Sequence, residues 1–476
     1  MKYMKGKKTK MINEEIKNKI SEYVDAHMDE LLTDIKTLIG TDSSRAEAKP
    51  GMPYGEGPAK VLAQGMEIFE KYGFAAKNYD NYVITADMNG LTKAVDVLAH
   101  LDVVPAGEGW TVTGAFEPKI VGGRLYGRGS IDDKGPAMAA LLAMRAVRDL
   151  ELPVKSGARL ILGSDEECGS SDIAYYFKKE PYAPMTFSPD ANFPLINIEK
   201  GGLAGRFGGN YEVSETLPRV TTLHGGKTTN VVPNKAYAEV EGLTDNMKAA
   251  AEKRAAELGV EIAFDEGGII RIDGVSAHAS LPEKGNNAVT ALMDIVTKIA
   301  NDSAAKLIGK LLEIFPHGDT CGEAAGVKMS DELSGALTMT LDILDVEDGY
   351  LHGVFDCRAP ICATEDNLYR VMKERLGAVG LVFDDGVKMN PPHHADGNSS
   401  FVKTLLSCYE AYTGIKGEPL AIGGGTYVHS IENGVAFGCE IEGIDNHMHG
   451  ADEFIDIDVL AQSAKIFALS IYELCK

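Results

Sequence analysis

The chain has 476 residues with 70 acidic and 47 basic side chains, and its net charge of −23 excludes nucleic acid as an expected partner, because most of the surface would repel a phosphate backbone. No run of about 18 apolar residues is present, which excludes a membrane-spanning helix on sequence grounds. The length exceeds what one ordinary hydrophobic core organises, and it predicts two or three domains.

The start of the chain and the pattern of its cysteines both favour the cytoplasm as the compartment of the protein. Met1 to Lys10 carries five lysines, but polar residues follow where a signal peptide needs an apolar core, so we interpret this stretch as a frayed basic tail. The seven cysteines are odd in number and include no Cys-x-x-Cys pair, which is typical of free thiols in a reducing environment. We therefore expect a cytoplasmic protein that does not interact with membranes.

The first 200 residues alternate between helical and strand patterns. Apolar side chains keep helical spacing from Ile12 to Leu38, which predicts one long amphipathic helix that ends at Gly40. Further elements are predicted as helices over residues 58–72, 136–150 and 171–179, and as strands over residues 95–100 and 159–162. Such alternation is typical of a parallel sheet covered by helices on both faces, in which ligands bind beyond the carboxyl ends of the strands.

A different pattern begins after Gly202 and lasts to about Asn390. Asp348-Gly349 separates two apolar runs and predicts a β-hairpin. Short strands accompany predicted helices near residues 247–258, 287–300, 303–315 and 365–378. The earlier pattern returns from Ser399 and ends in a predicted helix over residues 458–475.

The predicted fold class is therefore α/β, with an insertion. A mixed, mostly parallel sheet forms a discontinuous domain of residues 1–202 and 391–476. An inserted α+β domain of two similar lobes occupies residues 203–390.

Three consecutive acidic residues, Asp165, Glu166 and Glu167, follow the apolar run Leu160-Ile161-Leu162 after Gly163 and Ser164. Adjacent carboxylates in a partly buried place cannot all ionise comfortably without a cation to hold them. Alternation along an extended chain would point Glu166 and Glu167 in different directions, one toward a metal and the other toward a substrate. The alternative is a solvated turn, and this stretch taken alone leaves both interpretations open.

Histidines and further acids complete a candidate metal site. His100 and Asp102 stand two residues apart at a predicted strand end and point the same way, so Asp102 can accept the second ring N–H of a metal-bound histidine. Asp190 follows another short segment, and His447 and His449 lie near the far end of the chain. Two imidazoles with several carboxylates suit zinc, or cobalt or manganese in its place.

The sequence also contains patterns that fail as sites of other chemistry. Gly127-x-Gly129 opens a helix like a phosphate-binding loop, but Asp132 stands where the third glycine belongs, and an acid repels phosphate. The zinc-protease pattern His-Glu-x-x-His and the nucleophile pattern Gly-x-Ser-x-Gly are both absent from the sequence.

In their order and spacing, the motifs resemble those of the dinuclear zinc peptidase family of aminoacylase and carboxypeptidase G. The motifs that carry this resemblance are His100-x-Asp102, Gly127-Arg128-Gly129-x-x-Asp132-Asp133-Lys134-Gly135, Asp165-Glu166-Glu167-x-Gly169, Asp190 and His449-x-x-x-Glu453. The chain is most similar to the PepV-type dipeptidases, on the strength of Asn230-x-x-Pro233, residues 274–282 around His278, Asp356-Cys357-Arg358, residues 423–427 and the long insert.

The resemblance implies a role for each residue at a site for two zinc ions. Asp132 would bridge the ions, with His100 and Asp190 on one and Glu167 and His449 on the other. Glu166 would act as the general base that activates a bridging water, and Asp102 would orient the site. The spacing to Glu453 favours His449 over His447 as the ligand. The resemblance also implies a cis peptide bond between Asp132 and Asp133.

The resemblance further assigns the inserted domain as a lid. From it, His278 would stabilise the oxyanion, while Asn230 and Arg358 would hold the substrate, Arg358 by its terminal carboxylate. Backbone amides of Gly424 and Gly425 would add donors. Shorter family members dimerise to complete their site, whereas the long insert here would supply His278 within one chain. We therefore expect a monomer.

The function predicted from these features is that of a zinc-dependent dipeptidase, which closes a lid over small peptides with a free amino terminus. The nearest alternative is a deacylase that cleaves N-acyl amino acids with the same metals, and recognition of the amino terminus would separate the two. A third interpretation is a catalytically silent binding protein with this fold. The presence of Glu166 and the whole ligand set argues against it.

Overall fold

The computed structural model of the protein describes residues 12–476, so the predicted basic tail, Met1 to Lys10, lies outside the described residues. The chain folds into two compact units. The first comprises the described residues up to Asn197 together with residues 394–420 and 425–476. The second comprises residues 198–393 and 421–424. Whether the second unit acts as a lid stays a prediction.

The helices and strands follow in chain order. The α-helices are α1 (Glu14–Ala26), α2 (Met28–Ile39), α3 (Glu56–Lys71), α4 (Lys134–Asp149), α5 (Ser171–Tyr176), α6 (Asp245–Leu258), α7 (Ala288–Ile299), α8 (Ser303–Leu312), α9 (Arg370–Ala378), α10 (Ser400–Thr413) and α11 (Ile457–Cys475).

The strands of the first 202 residues are β1 (Ala75–Tyr79), β2 (Val83–Asp87), β3 (Lys93–His100), β4 (Lys119–Val121), β5 (Arg124–Tyr126), β6 (Gly157–Gly163), β7 (Met185–Ser188), β8 (Ala191–Asn192), β9 (Ile196–Glu199) and β10 (Gly201–Gly202). The following strands are β11 (Gly205–Asn210), β12 (Arg219–Gly225), β13 (Val231–Val232), β14 (Lys235–Glu241), β15 (Glu261–Phe264), β16 (Ile269–Asp273), β17 (Ala277–His278), β18 (Ser330–Asp331), β19 (Gly335–Ala336), β20 (Thr338–Glu347), β21 (Tyr350–Ala359), β22 (Val382–Phe383), β23 (His393–His394), β24 (Leu420–Ile422), β25 (Val435–Ala436), β26 (Cys439–Glu440) and β27 (Phe454–Asp456).

The start of the fold contains two helices where the sequence predicts one. α1 and α2 meet at His27, whose ring Nδ1 lies 2.7 Å from the backbone oxygen of Tyr23. The N–H of His27 donates instead to Val24, one residue further along. The side chain thus occupies the carbonyl that a continuous helix would use, and the prediction of a single helix is wrong for that reason. The predicted end at Gly40 is confirmed.

The sheet of the first unit has the order β1-β2-β6-β3-β7-β25-β9-β23, with β24 also paired to β9. The central strands β6, β3, β7 and β25 run parallel, whereas β1, β2 and β9 are antiparallel to their neighbours. The mixed α/β fold is confirmed, and its parallel part is the centre of the sheet. Helix α4 is buried along most of its length because small alanines let it pack closely beside α11.

The second unit has its own hydrophobic core and its own sheet, in the order β15-β16-β14-β12-β20-β21-β11-β22. The predicted hairpin is confirmed: Asp348 and Gly349 connect β20 to β21 with φ angles of +50° and +79°. Such angles suit the tight turns that join twisted antiparallel strands. The division of this unit into two similar lobes stays a prediction. Across residues 12–476, no helix combines the length and the apolar character needed to cross a bilayer.

Candidate metal centre

The carboxyl ends of neighbouring strands bring candidate ligands to one edge of the sheet of the first unit. β3 ends at His100, which pairs with Gly163 at the end of β6. The acidic stretch Asp165 to Glu167 follows β6, and Asp190 follows β7. Because β3, β6 and β7 are parallel, these side chains collect at the same edge.

Two groups of three donors share Asp132. The first group is His100, Asp132 and Asp190, the second is Asp132, Glu167 and His449, and the donor atoms within each group lie within 4.8 Å of one another. Oδ1 of Asp132 lies 3.0 Å from Nε2 of His100, and Oδ2 lies 2.8 Å from Nε2 of His449. Each oxygen of one carboxylate therefore faces a different histidine, which is the arrangement of a ligand that bridges two cations.

The remaining donors close each group. Oδ2 of Asp190 lies 3.6 Å from Nε2 of His100, and Oε1 of Glu167 lies 3.4 Å from Nε2 of His449. The His100 side chain is 1% exposed, whereas that of His449 is 52% exposed. One group is therefore enclosed, and the other opens toward solvent.

Burial and mutual contacts shift the pKa values of the ionisable groups at this edge of the sheet. Burial, and then the Asp132 carboxylate, raise the pKa of Glu167 to about 7, and burial raises the pKa of Glu166 well above its usual range. The hydrogen bond to Asp132, together with the nearby negative charge of Glu167, raises the pKa of His449 to about 11. A dication among these groups would favour the ionised carboxylates and the neutral imidazole.

Two atoms of the site fit a metal ion directly. Nε2 of His100 and Oε1 of Glu167 are buried and lack a hydrogen-bond partner among the residues that the structure describes. Buried polar atoms in folded proteins rarely lack a partner, so each needs an explanation. Imidazole nitrogen and carboxylate oxygen together are a donor set for zinc and related divalent metals. The two groups therefore fit a pair of such ions.

Asp102 holds the turn that carries the two glutamates. Its Oδ1 accepts the N–H of Glu166 at 3.2 Å, and its Oδ2 accepts the N–H of Glu167 at 3.1 Å. Nδ1 of His100 lies 3.0 Å from the backbone oxygen of Asp102 and 3.5 Å from its carboxylate. The ring of His100 therefore contacts mainly the backbone carbonyl of Asp102 and not its carboxylate, which the sequence predicts as the partner. The reason is that the carboxylate accepts the two N–H groups of the turn.

The conformation of the acidic stretch differs from the extended chain that the sequence predicts. Glu166–Cys168 form a 3₁₀ turn, and Asp165 precedes it with its carboxylate 2.6 Å from Nη1 of Arg45. Among the described residues, the donor groups include Glu167 but not Glu166. The two glutamates do take different positions, but strand alternation is not the cause.

Two further predictions concern the peptide bond after Asp132 and the position of His447, the alternative to His449 as a ligand. The peptide bond between Asp132 and Asp133 is cis, as the resemblance implies, and Oδ2 of Asp133 accepts the N–H of His100 at 3.1 Å. Nδ1 of His447 lies 3.2 Å from the backbone oxygen of Ala451. Within the described part of the chain, neither donor group includes His447.

Comparison with known proteins places this geometry in a family. The model of peptidase family M20/M25/M40 matches residues 97–473, a span that includes all five candidate ligands. The chain belongs to this family. It is therefore an enzyme that hydrolyses peptide bonds, and the resemblance seen in its motifs is confirmed.

Individual relatives of this M20 peptidase match over nearly their whole length. YtjP of Bacillus subtilis (strain 168), whose name assigns it provisionally to the dipeptidases, is 34% identical over 457 residues, which cover 94% of this chain and 98% of YtjP. The Beta-Ala-Xaa dipeptidase of Lactobacillus delbrueckii subsp. lactis is 33% identical over 463 residues, covering 96% and 98% of the two chains. The crystal structure of human carnosine dipeptidase 1 shares the fold, with a TM-score of 0.60, 16% identity and coverage of 97% and 99%.

The second unit of the M20 peptidase brings Asn230 and His278 together. Asn230 directly precedes β13, and His278 is the last residue of β17; in these paired strands Val231 lies opposite His278. The N–H of Ala279 donates to the backbone oxygen of Asn230 at 2.9 Å. Nδ1 of His278 lies 2.7 Å from the hydroxyl of Ser280. Asn230 and His278, the two predicted substrate contacts, therefore lie on neighbouring backbone segments that are hydrogen-bonded to each other.

Arg358 is connected to the same region of the second unit. Its Nη1 donates to the backbone oxygen of Gly423 at 2.8 Å, and its Nε donates to Asp356 at 2.8 Å. A side chain at Gly423 would collide with Ser280, so this position requires glycine for close approach. Gly424 follows in the same unit, whereas Gly425 belongs to the first. The roles of all these residues toward a substrate stay predictions.

Asp172 supports the acidic turn, although sequence analysis does not identify it. Its carboxylate accepts the N–H groups of Ser164 at 2.5 Å and Asp165 at 2.9 Å, and it accepts the hydroxyl of buried Tyr427. Burial raises the pKa of Asp172 to about 7. Tyr427 is the last residue of the Gly-Gly-Gly-Thr-Tyr motif. That motif is the feature of the sequence that could have pointed to this contact with Asp172.

Proposed function

We propose that the protein is a dipeptidase that uses two zinc ions, which cobalt or manganese can replace. His100 and Asp190 would hold one ion, Glu167 and His449 the other, and Asp132 would bridge them. The observation that carries the proposal is the position of Asp132, which faces both histidines with separate oxygens.

The substrate class is supported by the relatives. Two proteins that match nearly all of this chain are named as dipeptidases, and one of the names specifies dipeptides that begin with β-alanine. We infer that the substrates are small peptides with a free amino terminus, β-alanyl dipeptides included. These would enter the site as neutral zwitterions, which the strongly acidic protein does not repel as it would an anion.

Glu166 would perform the proton transfers of hydrolysis. Zinc ions, when bound, polarise a carbonyl group and acidify water. Glu166 lies in the turn beside ligand Glu167 but outside both donor groups, so its carboxylate would accept the proton of the attacking water and return it to the leaving amine. Asp102 would keep the base and the ligand in fixed relative positions through its two backbone hydrogen bonds.

The second unit would bind the substrate and act as a lid. His278 would donate a hydrogen bond to the oxyanion, and a donor of this kind contributes on the order of 3 kcal/mol to the transition state. Arg358 would bind the terminal carboxylate of the substrate, with Asn230 and the amides of Gly424 and Gly425 as further contacts. Because one chain would then supply the whole site, we propose a monomer. The free state of all seven cysteines supports a reducing compartment, the cytoplasm.

The test is metal content and turnover of a dipeptide panel, with wild type compared with Glu166→Gln. We expect about two zinc ions per chain in both proteins, hydrolysis by wild type, and a loss of more than about 100-fold in kcat for the variant. The panel includes Ala-Ala, β-Ala-Ala and the N-acetyl amino acid N-acetylalanine. Hydrolysis of N-acetyl amino acids without cleavage of any dipeptide would replace the proposal by the deacylase. Stable, metal-loaded wild type without activity would replace it by the silent binding protein.

A further inference from the structure

The loop that precedes ligand Asp132 is wrapped around the carboxylate of Glu453. Oε1 of Glu453 accepts the N–H of Gly129 at 3.0 Å and that of Ile131 at 3.1 Å, with the N–H of Asp132 at 3.4 Å. Converging backbone N–H groups of this kind form a cradle for an anion. The loop that resembles a phosphate cradle in sequence thus binds an anion, but that anion is an internal side chain.

Arg128, in the same loop, completes the arrangement. Its Nη1 donates to Oε2 of Glu453 at 2.6 Å, and both side chains are 1% exposed. Its Nη2 donates to the backbone oxygen of His449 at 3.2 Å. The guanidinium group also reaches the backbone oxygens of Pro105 and Ala106 at 3.4 and 3.3 Å. A single Arg side chain therefore joins the loop before Asp132 to the backbone of His449.

The backbone of His449 needs such a constraint. Its φ angle is +60°, a left-handed conformation that a residue with a Cβ adopts only when its surroundings hold it there. Arg128 and Glu453 meet this requirement from two sides, since Arg128 binds the His449 carbonyl and Glu453 follows His449 by four residues. The ion pair thus connects the two segments that carry Asp132 and His449, whose donor atoms are 2.8 Å apart.

Stability alone does not account for a buried charge pair here. Removing two charges from water costs about as much as their attraction returns, and apolar residues of similar size often serve a core equally well. A fixed polar network around metal ligands, in contrast, orients the ligands and sets their affinity.

We propose that Arg128 and Glu453 are positioning residues, which hold Asp132 and His449 at the spacing required by the metal ion of the second donor group. The inference depends on the metal site of the proposed function. It adds that the ion pair controls metal affinity at that group.

The test compares Glu453→Gln with Asp96→Asn. Asp96 and Arg159 lie on the neighbouring strands β3 and β6 of the first unit and form a buried pair through hydrogen bonds of 2.8 and 2.7 Å. Among the described residues, no hydrogen bond joins this pair to a donor of the metal centre. For each protein, zinc affinity is measured by competition with a chelator, and the ligand geometry by the visible absorption of the cobalt-substituted form. We expect Glu453→Gln to lower the affinity for one of the two zinc ions about 10- to 100-fold and to change the cobalt spectrum. Asp96→Asn should change neither, even where its thermal stability falls as far.

Arg128→Lys provides the test if Glu453→Gln does not fold. It keeps the charge opposite Glu453 but removes the planar fork that also reaches the His449 carbonyl, so we expect weaker metal binding with the cobalt spectrum changed in the same direction. Wild type that binds two zinc ions, together with variants that bind them equally well and with the same spectrum, overturns the positioning role and leaves the proposed function intact. Wild type that binds no metal ions overturns the proposed function itself.

Discussion

Asp102 and Glu167 are joined by a hydrogen bond of 3.1 Å from the backbone N–H of Glu167 to Oδ2 of Asp102. The second oxygen of Asp102 accepts the N–H of Glu166. Because both oxygens are engaged as acceptors, an amide at this position would turn an NH₂ group toward an N–H donor. The relative positions of the proposed base and the proposed ligand thus depend on a side chain that accepts a hydrogen bond at each of two oxygens.

For Asp102→Asn we therefore expect kcat to fall about 10- to 100-fold. The measurement is steady-state hydrolysis of a dipeptide together with zinc content. The matched control is Asp34→Asn, which alters another buried carboxylate that accepts hydrogen bonds from Lys71 and Tyr72. Equal losses of activity in the two variants would show that the effect comes from general destabilisation and not from the turn.

The two histidines of the His-Met-His segment make a matched pair for metal binding. Nε2 of His449 faces Asp132 and Glu167, whereas Nδ1 of His447 contacts the backbone oxygen of Ala451. We expect His449→Ala to bind one zinc ion fewer than wild type and His447→Ala to bind the same number. Elemental analysis after dialysis measures both. Loss of an ion from the His447 variant alone would exchange the two assignments.

Zinc binding should depend on pH through His449. The hydrogen bond to Asp132 and the nearby negative charge of Glu167 raise its pKa to about 11, so near neutral pH the imidazole carries a proton that a metal ion must displace. The apparent affinity should therefore rise with pH, by about tenfold per unit for each proton released. Titration calorimetry in buffers of different ionisation enthalpy counts these protons. Binding heats that do not depend on the buffer would contradict the expectation.

Asp342, in the second unit, should make stability depend on pH. Burial, and then the Asp356 carboxylate, raise the pKa of Asp342 to about 8, against about 3.9 in an unfolded chain. Between these values the folded protein holds a proton that the unfolded chain has released. The contribution of Asp342 to the free energy of unfolding therefore decreases as pH rises from about 4 to 8, by at most about 1.4 kcal/mol per unit.

Asp342→Asn should remove this component. The amide oxygen can still accept the N–H of Asn230, which donates to Oδ2 of Asp342 at 2.8 Å. We expect denaturant unfolding at pH 5 and pH 8 to show a larger loss of stability for wild type than for the variant. Equal losses in the two proteins would show that Asp342 is ionised in the folded state.

Local features of the sequence account for much of the first unit. The strand that ends at His100 and the helix that ends before Gly40 follow from apolar periodicity and from glycine at a helix end. The division of the first helix at His27 does not follow from periodicity, because it depends on one ring taking a backbone acceptor. The 3₁₀ turn at Glu166 likewise depends on Asp102, which is 64 residues away.

The sequence by itself determined the family of this protein and the types of donor available to a metal, because metal ligation and hydrolysis need particular side chains in a particular order. Only the tertiary structure decided which oxygen of Asp132 faces which histidine, and that Glu453 occupies the loop of Arg128. The contacts of Asp132 with His449 and of Arg128 with Glu453 join residues more than 300 positions apart through hydrogen bonds of fixed direction. Local spacing cannot encode them, since they exist only once the first and last parts of the chain have packed together.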